Sequence, residues 1–195
     1  IVRADTVEEL FDLAQVLASQ PLLADDAVAV VTNAGGPGVM ASDAIGETRL
    51  EMADFAESTR ERLDGYLPAE TSPHNPLDIL GDADLDRFRR TLDAILADDG
   101  VSGAMVLSCP TALFEYEDLA DLVGELHATH EKPVVACLMG GESAARAGDR
   151  LEQYGIPNYF DPARAARSLE VLADYRDVSA REYEPPTEFD VDRER

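Results

Sequence analysis

The residues best suited to chemistry lie in loops rich in glycine, proline and asparagine. In Thr32-Asn33-Ala34-Gly35-Gly36-Pro37-Gly38, a β-branched run gives way to a helical pattern that continues from Val39 to Ile45. Gly35 and Gly36 carry no Cβ, so their backbone N–H groups can approach a ligand closely. The helix behind them contributes roughly half a positive charge at its N-terminus. Pro37 suits a first helical turn, where its missing N–H costs nothing. Together these features point to anion binding, with phosphate as the natural ligand. The same glycines also permit a tight strand-to-helix turn with no ligand, and this loop alone leaves both readings open. It follows neither the GxGxxG nor the GxxxxGK[ST] phosphate-binding pattern.

Other polar residues cluster in a second loop, His74-Asn75-Pro76-Leu77-Asp78. His74 could accept a phosphoryl group or transfer a proton there, or it could be an ordinary loop residue. Asn75 and Asp78 could contact a bound group, or close an Asx-type turn on their own backbone. Gly140 and Gly141 form a third flexible strand exit. His127 and His130 have metal-ligand spacing, but no third ligand is fixed near them, and histidine is favoured at a helix C-terminus without any metal. No metal site is expected. Cys109 and Cys137 end apolar runs and suit packing, and the absence of a CxxC pair argues against structural zinc and for a reducing, cytoplasmic setting.

These loops need elements to position them, and the apolar pattern supplies an alternating series. Ala27 to Val31, Gly103 to Leu107 and Pro133 to Leu138 are short continuous apolar runs, the pattern of strands buried on both faces of a parallel sheet. Arg49 to Phe55 and Ile156 to Phe160 complete a predicted set of five strands. Helical spacing is expected near Ser58 to Gly65, Asp84 to Ala97, Glu115 to Thr129, Glu142 to Gln153 and Pro162 to about Tyr175. Pro68 to Gly81 is expected to be loop. The pattern specifies an α/β flavodoxin-like three-layer sandwich over residues 21–177. An N-terminal amphipathic helix, with Thr6 and Glu9 in capping-box spacing, occupies residues 1–20 as a helix or hinge packed on the domain. Residues 178–195 are charged and aperiodic, and are expected to form a linker.

The chain has 195 residues, with 16 Lys+Arg against 40 Asp+Glu, for a net charge of −24. Such a surface repels phosphodiester backbones and anionic lipid headgroups, so nucleic acid and membrane are excluded as expected partners. Fifteen of the cationic residues are Arg, and Lys132 is the single Lys. This balance suits concentrated salt, where the Debye length falls to about 3 Å at 1 M, and a halophilic source is expected. The sequence opens at Ile1 without Met and passes directly into a helical pattern, which suggests a piece of a longer polypeptide.

Familiar activities of this fold fit poorly. A response regulator needs an acidic cluster at its strand ends, where this chain has Asn33, Cys109 and Met139. A flavin site needs a Ser/Thr-rich phosphate loop and stacking aromatics, but Trp is absent. None of the three His residues lies in the Asp-x-His-x-x-Gly pattern of cobalamin modules.

The stretch Val31 to Val39, with Leu67-Pro68, Asn75-Pro76-Leu77-Asp78, Lys132-Pro133-Val134, Met139-Gly140-Gly141 and Gly155-Ile156-Pro157, resembles the NDP-forming acyl-CoA synthetases. The similarity is to the last domain of the α subunit, or its equivalent in a fused chain, of the ADP-forming acetate–CoA ligase group related to succinyl-CoA synthetase. It runs from about Thr6 to Tyr175. The resemblance implies a multidomain ligase that interconverts acyl-CoA, ADP and phosphate with carboxylic acid, CoA and ATP through a phosphohistidine. Parent cofactors would be CoA, ADP/ATP, phosphate and Mg, none of them held by this domain alone. The implied partners are the CoA-binding, phosphohistidine and ATP-grasp domains of the same synthetase. The implied role of this domain is a helix N-terminus facing the phosphohistidine, formed by Asn33, Gly35, Gly36, Pro37 and Gly38. Asn75, Asp78, Gly140 and Gly141 would be loop contacts. The alternative is a non-catalytic regulatory or binding module, such as one fused to an acetyltransferase.

Overall fold

A computed structural model describes residues 1–182. Its core is a parallel sheet of five strands: β1 (Ala27–Thr32), β2 (Glu51–Met52), β3 (Leu77–Asp78), β4 (Gly103–Ser108) and β5 (Val134–Leu138). The order is β2-β1-β4-β5, and every pairing is parallel. β2 and β3 share one flank of β1. Ala27 and Val28 pair with Glu51 and Met52, and Val31 and Thr32 pair with Leu77 and Asp78.

The period-2 alternation of the buried strands sorts side chains to two cores. Ala29, Val31, Ala104, Val106, Val134 and Ala136 face one cluster, which is covered by helices α3 (Glu57–Asp64), α4 (Leu85–Leu96), α5 (Tyr116–His130) and α6 (Glu142–Glu152). Val28, Val30, Met105, Leu107, Val135 and Cys137 face the other, beneath α1 (Val7–Ser19), α2 (Gly35–Gly46) and α7 (Pro162–Ala180). Each fully buried Val or Leu contributes roughly 1.5–3 kcal/mol relative to exposure, so slipping any strand by one residue would forfeit several such terms.

The expected three-layer α/β architecture is present, with three local differences. Leu77–Asp78 is a strand, although it lies in the Pro-rich stretch expected to be loop; its two residues are too few to show a period. Ile156 to Phe160, expected as a strand, contributes a single bridge between Asn158 and Ala136, with Ile156 and Tyr159 buried beside it. α7 continues to Ala180, beyond the expected end near Tyr175. Residues 178–180 of the expected linker are therefore helical, and the linker beyond residue 182 lies outside the described residues. No helix among the described residues is long and apolar enough to cross a membrane.

Candidate functional site: the carboxyl edge of the sheet

All strands run the same way, so their exits share one edge. The register sets Thr32 beside both Asp78 and Leu107, and Ser108 beside Leu138. The loops after β1, β3, β4 and β5 therefore meet at that edge, where open α/β sheets bind ligands.

The loop after β1 turns sharply into α2. Thr32 Oγ1 accepts a hydrogen bond from the Ala34 N–H at 3.0 Å, and Ala34 is the N-cap of α2 without a side-chain cap bond of its own. The first helical bond runs from the Gly38 N–H to the Ala34 carbonyl, at 3.2 Å. The amides of Gly35 and Gly36 have no acceptor among the described residues, and Pro37 has no N–H. α2 starts at Gly35, two residues ahead of Pro37, which occupies the first turn as expected. The poor helix propensity of two glycines hid those residues from the apolar pattern.

The three glycines of this loop divide by role. Gly35 and Gly36 are exposed, and a Cβ on Gly36 would meet nothing within 4 Å. Gly38 is buried, and its Cβ would lie 3.0 Å from Thr32 Cγ2, so this glycine lets the helix pack against β1 and has no surface to offer a ligand. A Cβ on Gly35 would lie 3.1 Å from Asp78 Oδ2, so the Asp78 carboxylate sits beside the start of α2. Its other oxygen accepts from the Leu80 N–H at 2.9 Å, an Asx turn that holds Leu80 at φ 69°.

Asn33 and Asn75 are structural in a way their sequence positions do not show. Asn33 is 2% exposed, and its amide exchanges two hydrogen bonds with the backbone of Cys109. It fixes the loop and is not free to contact a ligand. Asn75 Oδ1 accepts from the Val30 N–H at 2.9 Å, while Nδ2 donates to the carbonyls of Val28 and Ala53 at 2.8 and 3.2 Å. It fills the gap along β1 between β2 and β3, so neither its expected Asx turn nor a ligand contact describes it. Sequence reasoning missed Tyr116, which ties two strand exits together by donating to the Ser108 and Met139 carbonyls at 2.7 and 2.9 Å. Burial pushes the Tyr116 phenol up to about 12. Nothing local in the sequence signals it.

Gly140 and Gly141 are exposed at the same edge. Gly140 has φ 144° and would bring a Cβ within 3.0 Å of Pro110 Cγ, while Gly141 caps α6 with open space around it. His74 is exposed in the loop that leads to β3, on the amino side of that strand. The two helix-end histidines face different partners: His127 Nδ1 lies 2.9 Å from the Lys132 carbonyl, and His130 Nε2 lies 2.9 Å from Asp93 Oδ1. Among the described residues no group of His, Cys, Asp or Glu is arranged to hold a metal. Cys137 is buried, which pushes its thiol up to about 12 and suits a packing role.

A five-strand parallel sheet between two helix layers, with its exit loops along one edge, defines a three-layer α/β domain. The Ligase-CoA domain model matches residues 28–182, and the chain belongs to that family. It is 40% identical over 183 residues to an ADP-forming acetate–CoA ligase I of Archaeoglobus fulgidus, covering 93% of this chain and 25% of the relative. It is 34% identical to an ADP-forming 4-hydroxybutyrate–CoA ligase of Nitrosopumilus maritimus, covering 90% and 25%. A crystal structure from Pyrococcus horikoshii OT3 matches with a TM-score of 0.87 at 30% identity, covering 92% of this chain and 42% of that one. A dinucleotide-forming acetyl-coenzyme A synthetase 1 of Ca. Korarchaeum cryptofilum, solved with phosphate and ADP, matches with a TM-score of 0.85 at 28% identity, covering 91% and 39%. The chain thus spans about a quarter of the length of these two curated ligases.

Proposed function

We propose that this chain is one domain of an ADP-forming acyl-CoA synthetase that passes a phosphoryl group through a histidine on another domain, and that α2 stabilises that group. The observation that carries this reading is the pair of free amides at Gly35 and Gly36, at the bare and exposed start of α2. Two backbone N–H groups and the helix end offer partial positive charge from the main chain itself. No acidic residue occupies the first turn of α2 or of α7, whereas α1, α3, α4, α5 and α6 each have at least one. Asp78 adds a carboxylate beside Gly35. When the unprotonated ring nitrogen of a histidine takes the phosphoryl group, the other nitrogen keeps its N–H as long as the ring stays protonated, and a carboxylate is an acceptor suited to hold that proton, so amides and carboxylate would recognise opposite ends of one group.

CoA, ADP/ATP, phosphate and Mg belong in this proposal to the whole synthetase, and the partners of this domain are the synthetase's CoA-binding, phosphohistidine and ATP-grasp domains or subunits. The test is Gly36→Val in the assembled synthetase. A Val side chain at this open position leaves the fold intact and covers the amides, so phosphoenzyme formation and turnover should fall while CoA binding stays unchanged. Normal phosphoenzyme formation in this variant would refute the assignment.

A further inference from the structure

α1 is apolar on two sides. Its inner side buries Leu13 and Val16, and it is clamped to α7 by Arg164, which binds Asp12 with two hydrogen bonds of 2.8 Å, and by Arg167, which binds Glu9 at 2.9 Å. Those pairs fix the rotation of the helix and leave Val7, Leu10 and Phe11 facing outward at 72%, 54% and 69% exposure. Their spacing of three and four residues makes them one stripe, which exposed Ala14 and Ala18 extend by a further two turns. On a chain with a net charge of −24, a continuous apolar stripe runs against the character of the rest of the surface. A helix apolar on both sides is one that is covered on both sides.

We propose that the outer face of α1 docks against an adjoining domain of the same synthetase. Two observations choose this occupant over a second copy. The relatives that match over 93% and 90% of this chain are about four times its length, so most of the surface this domain could pack against belongs to the same polypeptide or its companion subunit. Pairing of two identical copies would also bring together two strongly acidic surfaces. The partner should therefore present an apolar patch with basic or neutral residues at its rim, to suit the acidic surface around the stripe. The inference depends on family membership and not on the phosphoryl reading of α2.

Hydroxyl-radical footprinting of Phe11 tests this without substitution. Oxidation of the Phe11 ring, read by mass spectrometry, should be several-fold slower in the assembled synthetase than in the 195-residue chain, and the 195-residue chain should sediment as a monomer. A Phe11→Gln variant should fold as the parent does in isolation, yet weaken the resistance of this domain to proteolysis in the assembly. Equal oxidation in both forms would overturn the proposal. Protection already present in the 195-residue chain, together with a sedimenting dimer, would overturn it in favour of a second copy. Normal phosphoenzyme formation in Gly36→Val, with Phe11 protected as expected, would instead count against the α2 reading alone.

Discussion

The side chain of Asn33 pairs with the backbone of Cys109 as a strand neighbour would. Oδ1 accepts from the Cys109 N–H at 2.8 Å and Nδ2 donates to the Cys109 carbonyl at 3.0 Å. It extends the β1–β4 ladder past the last paired residues and thereby sets where the Gly35-Gly36 turn begins. Asn33→Ala should leave the Cys109 N–H without its partner and its carbonyl with only the Ser108 hydroxyl at 3.3 Å, costing about 1–3 kcal/mol and lowering the urea midpoint without changing the m-value. A loss below about 0.5 kcal/mol would show that water replaces the amide and that the loop does not depend on it.

This pairing also shows the limit of what was legible in the sequence. The strand runs were readable because burial on both faces demands unbroken apolar residues, and the Thr6 cap because it lies three residues from the amide it binds. Asn33 binds backbone 76 residues away and Asn75 binds backbone 22 to 47 residues away, and no local pattern encodes that. The glycine-led start of α2 was legible as a possible anion site, yet the approach of Asp78 to Gly35 requires β3, whose two residues have no periodicity. The final predicted strand failed because Ile156 and Tyr159 are buried as a strand's residues would be, while only Asn158 bridges to the sheet.

Acid sensitivity should centre on Asp98, which is 5% exposed. Burial pushes its carboxyl up, but hydrogen bonds from the Thr59 side chain and the Gly100 and Ala56 amides, with the Lys132 ammonium nearby, outweigh burial and hold it below its ordinary value. A lowered folded pKa means that its contribution is complete above the unfolded value of about 3.9 and is lost as pH falls through the folded one. Asp98→Asn can satisfy only one of the two amides held by separate oxygens at 2.9 and 2.8 Å. It should cost about 1–3 kcal/mol at pH 7, with the gap to the parent closing below about pH 4. A gap that stays constant from pH 7 to pH 3 would show that the carboxylate charge is irrelevant.

His74 should not be a phosphoryl acceptor. It is exposed on the amino side of β3, whereas the free amides lie beyond the carboxyl end of β1. The 195-residue chain incubated with radioactive ATP should therefore remain unlabelled. Labelling abolished by His74→Ala would promote this histidine to a functional role, and labelling that survived the change would place another acceptor in this domain.

Salt should stabilise the domain, and the balance of two opposing screening effects decides the sign. Arginines carry many ion pairs here. Arg49 bridges Asp26 and Asp177, Arg176 bridges the same two, and Arg164 and Arg167 join α1 to α7. Screening weakens such pairs, but exposed ones contribute only about 0–1 kcal/mol each, and the partly buried ones are screened less. Even if all 16 cationic residues were paired, 24 acidic residues would remain unbalanced, because 40 − 16 = 24. Their mutual repulsion acts across the whole folded surface and is relaxed in the expanded chain, so its screening outweighs the loss from the pairs. The urea midpoint should therefore rise from dilute buffer to molar KCl. Asp43, Glu47 and Glu51 are exposed and supply a control, since Asn or Gln at all three removes surplus charge without breaking an ion pair among the described residues. That variant should be more stable than the parent in dilute buffer and gain less from KCl. A midpoint that ignores KCl, or a variant whose salt response equals the parent's, would rule out surplus negative charge as the origin of the salt dependence.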